Sequence, residues 1–99
     1  MYLDPFKNQI IKLCKKHKVK HLFAFGSVLT SKFSDKSDVD LLVDINSKDP
    51  IKYAENYFDL KFQLEDLLKR KIDLLEERGI RNPYLKENID NSKLLIYGA

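Results

Sequence analysis

Two aspartates separated by a single valine, Asp38 and Asp40, stand at the start of an apolar segment that predicts a β-strand. Because side chains alternate along a strand, both carboxylates project to one face, where they can hold a divalent cation together. Ten residues separate Asp38 from the pair Gly26 and Ser27, which follows another predicted strand where a helix is expected to begin. Backbone N–H groups at a helix start attract phosphate. The pattern therefore predicts a cleft in which phosphate and metal meet.

Such a cleft suits the transfer of a nucleotidyl group. Hard oxygen ligands bind Mg²⁺, and two ions about 3.5–4 Å apart stabilise both the entering and the leaving oxygen. In this interpretation Asp38 and Asp40 hold the metal of the nucleotide. Gly26 lets the backbone approach the phosphates without a Cβ, and Ser27 offers its N–H and hydroxyl to them. An ordinary strand-to-helix turn with Ser27 as N-cap is the alternative for the Gly-Ser pair taken alone.

A third carboxylate, Asp73, lies within the short apolar segment 71–76, which predicts another strand. A buried carboxylate without a partner is costly, so an acid at this position is expected at a metal, at a partner or at a strand edge. If this strand lies beside the one that carries Asp40, Asp73 completes a three-carboxylate site, shares a second metal with Asp40 and is the candidate general base. The alternative is an exposed aspartate on an edge strand. Asp35 and Asp44 are interpreted as solvated.

The composition is that of one small globular domain, residues 1–99, with 43% hydrophobic and 33% charged residues. No apolar stretch approaches the roughly 20 residues of a membrane span, and no signal peptide is visible, so we expect no membrane partner. The lone Cys14 excludes an internal disulfide, favours a cytoplasmic setting and is expected in the core. The net charge of +3 is too small to indicate direct nucleic-acid binding.

The periodicity alternates between helix and strand. Asp4, Asp49 and Asn82 each precede a proline, a pattern typical of a helix N-cap followed by the first helical residue. The predicted helices cover residues 5–17, 27–31, 50–70 and 83–90. The predicted strands cover residues 20–25, 39–45 and 71–76, and residues 94–97 form a terminal strand or simply pack. This order indicates an α/β (α+β) fold, a single small mixed sheet packed with helices, with strand 39–45 in its centre.

Two further features have two interpretations each. The basic stretch 15–20 could steer ATP, but a run of charges at a helix end is usually a solvated face. The long helix carries Ile51, Phe58 and Phe62 in addition to the stripe needed for one sheet face. These side chains are either buried in a wide helix contact or form a surface for a partner protein.

The compound motif resembles the signature of the DNA polymerase β-like nucleotidyltransferase superfamily, specifically its minimal nucleotidyltransferases, which include the MntA-type antitoxins. The matching residues are Phe25-Gly26-Ser27, ten intervening residues and Asp38-Val39-Asp40-Leu41. Asp73 in an Ile-Asp-Leu strand is similar to the third acid of the family. The segment from Asn82 to Tyr97 resembles its closing helix and tail, so the resemblance covers essentially the whole chain.

The resemblance implies a compact α/β nucleotidyltransferase fold and Mg²⁺-dependent use of ATP. It also implies a small helical HEPN protein as partner in a prokaryotic toxin–antitoxin module, where the nucleotidyltransferase is the antitoxin and transfers AMP to a tyrosine of the HEPN ribonuclease. Two alternatives stay open: an antitoxin that neutralises its partner by binding alone, and an enzyme that modifies a small hydroxylated molecule. Homo- and hetero-oligomers both stay open.

Overall fold

Four strands form one mixed sheet in the computed structural model, which describes residues 1–98. The strands are β1 (Val19–Phe25), β2 (Val39–Ile45), β3 (Ile72–Glu76) and β4 (Leu94–Gly98), in the spatial order β3-β2-β1-β4. The helices are α1 (Lys7–Lys16), α2 (Pro50–Leu68) and α3 (Pro83–Ser92), and short 3-10 turns occupy Asp4–Phe6, Gly26–Leu29 and Glu77–Gly79. The predicted fold class is confirmed, and the terminal segment forms a strand.

The strand directions follow from the connections. β1 runs antiparallel to both β2 and β4, whereas β3 runs parallel to β2. A parallel neighbour needs a crossover, which α2 supplies between β2 and β3. β2 is an interior strand, as its apolar sequence predicts, and β3 and β4 are the two edges.

The two faces of the sheet are covered differently. Alternate residues of β2 join one buried core with side chains of α1 and α2; these β2 residues are Val39, Leu41, Val43 and Ile45. Because strand side chains alternate, Asp40, Leu42 and Asp44 project from the opposite face, which we call the acid face. On that face α3 approaches Leu42, since Ile89 and Leu42 line one small cleft. The acids therefore lie away from the core that α1 and α2 build.

Two of the three predicted helix caps are confirmed. The Asp49 carboxylate accepts hydrogen bonds from the N–H groups of Ile51 and Lys52, and the Asn82 side chain caps α3 in the same way. The cap prediction for Asp4 is wrong. A 3-10 turn precedes α1 there, and the Asp4 carboxylate binds the Met1 ammonium at 2.8 Å instead. The helical periodicity fits α1, but the proline suits this tighter turn as well as it suits an α-helix.

Buried residues test two other predictions. Cys14 lies in the core, where burial raises the pKa of its thiol to about 12, so the prediction of a packing role is confirmed. Asp44 was expected to be solvated, and this is wrong, because it is 8% exposed and receives a hydrogen bond of 2.8 Å from Arg78 Nε.

None of the helices within residues 1–98 has the length and apolar character that a membrane span requires.

Candidate active site

The parallel pairing of β2 with β3 places Asp40 and Asp73 opposite each other in register. Neighbouring strands lie about 4.8 Å apart, so the two carboxylates stand side by side on the acid face. Asp40 is half-buried, whereas Asp73 is exposed because β3 is an edge strand. Both features expected of Asp73 occur together: it is an exposed aspartate on an edge strand, and it is the neighbour of Asp40.

Asp38 is exposed one residue before β2 and has the same parity as Asp40. Burial raises the pKa of the Asp40 carboxyl above its ordinary value, and the negative charges of Asp73 and Asp38 raise it further. Asp73 and Asp38 therefore each lie close enough to Asp40 to repel its carboxylate. A cation between them would relieve that repulsion.

The donor set fits a hard divalent cation, since carboxylate oxygens are the ligands that Mg²⁺ prefers. Within the part of the chain that the structure describes, however, no group of three or more His, Cys, Asp or Glu side chains is arranged to hold a metal ion as it stands. The carboxylates are neighbours without forming a closed coordination shell. Asp38, which precedes the strand, and the exposed Asp73 are the side chains with freedom to turn inward.

Gly26 lies directly against this acid pair. Its φ of +75° belongs to the left-handed region, and a Cβ at this position would stand 2.5 Å from Asp40 Oδ2. Phe25, the preceding residue, is the antiparallel partner of Asp40, so the end of β1 brings the Gly26 backbone to the carboxylate. Glycine is required here both by the backbone conformation and by the close approach. The sequence motif had indicated closeness to phosphate, and the structure adds closeness to Asp40.

Ser27 belongs to a turn that is shorter than predicted. The helix expected at residues 27–31 is a 3-10 turn at Gly26–Leu29, anchored by the buried Val28. The Ser27 carbonyl accepts hydrogen bonds from Thr30 N–H at 2.9 Å and from Thr30 Oγ1 at 3.0 Å. Its hydroxyl has no hydrogen-bond partner within residues 1–98 and remains available. With so short a turn, phosphate attraction must come from individual N–H and O–H groups rather than from a helix dipole.

A polar network that the sequence motifs do not indicate lies at the other end of the acid face. Arg78 donates to Asp44 and to the Ile45 carbonyl, and His21 Nε2 lies 2.6 Å from Glu77 Oε2. These contacts fix the turn Glu77–Gly79, which leads to α3, against β1 and β2. The charged residues after β3 were visible in the sequence, but their partners lie 34 and 56 residues away along the chain.

The family profile described as polymerase beta, nucleotidyltransferase matches residues 8–99. This chain belongs to that family. A Methanocaldococcus jannaschii protein named "Putative protein adenylyltransferase" is 40% identical to it over 86 residues, which cover 86% of this chain and 82% of the relative. The resemblance seen in the sequence is confirmed, and the protein is a nucleotidyltransferase.

Several solved structures share the fold of this chain. One described as a "putative minimal nucleotidyltransferase" has a TM-score of 0.77 and 29% identity, and the match covers 93% of this chain and 90% of that chain. A toxin–antitoxin structure with AMP-PNP has a TM-score of 0.73 and 24% identity, over 94% of this chain and 73% of that one. A structure of a tri-AMPylated Shewanella oneidensis HEPN toxin in complex with MNT antitoxin has a TM-score of 0.68 and 24% identity, and the match covers 100% of this chain and 74% of that chain. The last two similarities show the fold alone.

Asp40→Asn is expected to stabilise the metal-free nucleotidyltransferase at pH 7. Because the pKa of Asp40 is raised in the folded state, protonation of its carboxyl favours the fold. This stabilisation is fully present below the unfolded-state pKa near 3.8 and is lost as pH rises through the folded-state pKa, so the ionised carboxylate is unfavourable at pH 7. The gain in melting temperature, about 1–4 °C for a domain of this size, should therefore shrink as pH falls towards 4. Thermal unfolding in chelator measures it, with the exposed Asp66→Asn as control. An unchanged or lower melting temperature at pH 7 would contradict the repulsion.

Gly26→Ala is expected to displace the Asp40 carboxylate and to weaken Mn²⁺ binding by about 10- to 100-fold, the range typical of changes just outside a metal shell. Gly79→Ala is the matched control, because a Cβ there meets Glu76 Cβ only at an ordinary 3.8 Å. Calorimetric titration of Mn²⁺ into both folded variants makes the comparison. Equal affinities in the two variants would show that the Gly26 contact is unimportant for the site.

Proposed function

We propose that this nucleotidyltransferase uses ATP and Mg²⁺ to transfer AMP to a tyrosine of a HEPN-type partner protein, and that it acts in this way as an antitoxin. The observation that carries the proposal is the meeting of Asp40 and Asp73 in register on the acid face, with Gly26 in contact with Asp40. This arrangement supports a phosphate contact and paired carboxylates at one end of the same sheet.

The similar proteins support the substrate and the partner. The M. jannaschii relative is named for protein adenylyl transfer, and one structural neighbour contains AMP-PNP, an ATP analogue. Another is a complex of an AMPylated HEPN toxin with its antitoxin. Transfer of these properties to the present chain is our inference, and it agrees with the chemistry of the acids. The same reasoning favours the cytoplasm, where ATP and a toxin of this class occur together.

Each site residue has a definite task in the proposed reaction. Asp38 and Asp40 would hold the metal of the nucleotide, and Asp40 and Asp73 a second metal. Bound Mg²⁺ supplies positive charge that neutralises the triphosphate and aligns the attacking and leaving oxygens. Ser27 would donate its N–H and hydroxyl to the β- and γ-phosphate oxygens.

The transfer itself is a substitution at the α-phosphorus. The phenolic oxygen of the acceptor tyrosine forms the new bond to this phosphorus, and the bond from the phosphorus to the bridging oxygen of the β-phosphate breaks. Pyrophosphate leaves with that bonding pair. Asp73 takes the phenolic proton, a role that suits an exposed carboxylate at the sheet edge beside which an acceptor can approach.

The acceptor is tested directly with labelled ATP. The protein is incubated with Mg²⁺ and with a candidate HEPN-type partner protein, using ATP labelled at either the α- or the γ-phosphate. Label from the α-phosphate alone should appear on a partner tyrosine. If a tight complex forms without any label, the protein neutralises its partner by binding, and the catalytic proposal fails. Asp38→Asn is the inactive control, with transfer expected to fall at least about 100-fold.

Ser27 and Asp73 are expected to affect different steps. Ser27→Ala should weaken ATP binding and leave Mn²⁺ binding largely intact, because it removes a phosphate donor and no carboxylate. Asp73→Asn should keep ATP affinity within about threefold and lower the rate constant of transfer at least about 100-fold, the pattern of an interaction made in the transition state. ATP titration and single-turnover transfer separate the two effects. A normal rate in Asp73→Asn would remove this residue from the mechanism.

A partner surface on α2 remains a prediction that the exposure of its aromatics supports. The interpretation that these side chains are buried is wrong, because Phe58 is 53% exposed, Phe62 63% and Ile51 71%. Phe58→Asp combined with Phe62→Asp should abolish binding of the HEPN-type partner and leave ATP binding unchanged, since apolar anchors dominate docking. Phe58→Leu combined with Phe62→Leu should keep both. Pull-down and ATP titration decide, and partner binding by the folded double-aspartate variant would exclude this surface.

A further inference from the structure

Arg70 lies in the short connection between α2 and β3. Its side chain reaches back across 36 residues of sequence, and Nη1 donates hydrogen bonds to the carbonyl oxygens of Ser34 and Ser37, each at 2.7 Å. The N–H of Ser37 also donates to the Ser34 carbonyl at 3.0 Å. A single guanidinium nitrogen thus closes the turn between these two serines from outside.

Two aromatic rings fix the orientation of that guanidinium. Its Cζ lies 4.6 Å from the ring centroid of Tyr2 and 4.4 Å from that of Phe33, and the two rings contact each other at 5.3 Å. The Tyr2 hydroxyl in turn donates to the carbonyl of Leu68, the last residue of α2, at 2.7 Å. A planar cation held against aromatic faces has little freedom, and a lysine ammonium has neither the plane nor the reach to replace it.

The segment that Arg70 fixes is the connection between the two halves of the site. Residues 30–38 run from the end of the turn Gly26–Leu29 to Asp38, and apart from the half-buried Phe33 and Ser37 they are exposed. Ser37 immediately precedes Asp38, and the next residue, Val39, donates its N–H to the Lys71 carbonyl at 3.1 Å. Asp40 and Asp73 are held by the sheet itself. Asp38 stands outside the strand, so its direction depends on how this connection ends.

We propose that Arg70 is a positioning residue that sets the direction in which Asp38 presents its carboxylate to the cation. The inference rests on the proposed role of Asp38 as a metal ligand. Arg70 acts through the backbone of Ser34 and Ser37, at a distance from the reacting atoms. Its charge is a separate property, because a lysine at this position would keep the positive charge, whereas only the guanidinium geometry closes the turn.

The test compares Arg70→Ala and Arg70→Lys with wild-type protein. Mn²⁺ affinity, measured by calorimetry on metal-free protein, should fall about 10- to 100-fold in both variants, the range found when a residue that orients a metal ligand is removed. Amide exchange of residues 34–37 in the absence of metal should accelerate at least about tenfold, because the hydrogen bonds that close the turn are lost. Exchange of the β2 amides should stay as in wild type.

Arg78→Ala is the matched control for a general loss of stability. Arg78 likewise binds a backbone carbonyl and packs against an aromatic ring, with a bond of 2.9 Å to the Ile45 carbonyl and its Cζ 5.3 Å from the Tyr53 ring, but it acts at the far end of β2. Arg78→Ala should lower the melting temperature about as much as Arg70→Ala does. It should keep the Mn²⁺ affinity within about threefold of wild type, since no proposed metal ligand changes position.

Three outcomes overturn the inference. Wild-type Mn²⁺ affinity in Arg70→Ala would show that Asp38 needs no such support. Full retention in Arg70→Lys would show that charge, and not the closed turn, is what matters. An equal loss in Arg78→Ala would reduce the effect to stability. Mn²⁺ binding and amide exchange need neither ATP nor a partner, so a failure to transfer AMP would contradict the proposed function and leave this test intact.

Discussion

The parallel pairing of β2 with β3 is the contact on which the candidate site depends. The core sets the register of this pair, because Val39 lies opposite Ile72 and Leu41 opposite Leu74, all buried against the helices. The same register forces Asp40 opposite Asp73, a like-charge pair that is unfavourable by itself. A slip by one residue would move Asp73 into the core, where an unpaired carboxylate is far more costly. Hydrophobic burial on one face therefore holds the acids together on the other.

The repulsion at the acid face and the close approach of Gly26 are parts of one arrangement. Asp40 is kept half-buried by the neighbouring strands, and its pKa is raised by that burial and by Asp73 and Asp38. The Asp40 carboxylate fits beside Gly26 only because glycine has no Cβ. Destabilising features of this kind persist where the surrounding packing over-determines them, and they are typical of functional sites. The carboxylate charges that destabilise the metal-free fold by repulsion are the same charges that attract a bound cation.

The sequence predicted what local pattern and burial determine. Strand β2 was predicted with its observed bounds, since a continuous apolar run with two acids on one face has few other solutions. The compound motif predicted residues that the fold brings to one end of the sheet, with Asp73 opposite Asp40 and Gly26 against Asp40. The errors share a cause. Asp44 lies at the far end of its strand, and the sequence does not reveal its partner Arg78, which is 34 residues away along the chain. The turn at Gly26–Leu29 is predicted as a helix over 27–31 because α and 3-10 turns begin alike. The contacts of Arg70 were likewise invisible, because they join backbone carbonyls to a side chain far along the chain. Periodicity carries no information on such pairings.

The position of β3 at the sheet edge has a consequence for the kind of acceptor that the site can serve. An interior strand would enclose Asp73 between neighbours, whereas the edge leaves it exposed beside the half-buried Asp40. A group that approaches from this edge reaches Asp73 first and Asp40 behind it, which is the order required if the outer carboxylate receives a proton and the inner one holds metal. A small molecule at such a site would need walls that an exposed edge does not provide, because ligand sites bury most of their ligand. A protein acceptor brings its own walls and can cover the edge with the surface that carries its acceptor group. The geometry of β3 thus favours a macromolecular acceptor for the same reason that it leaves Asp73 accessible.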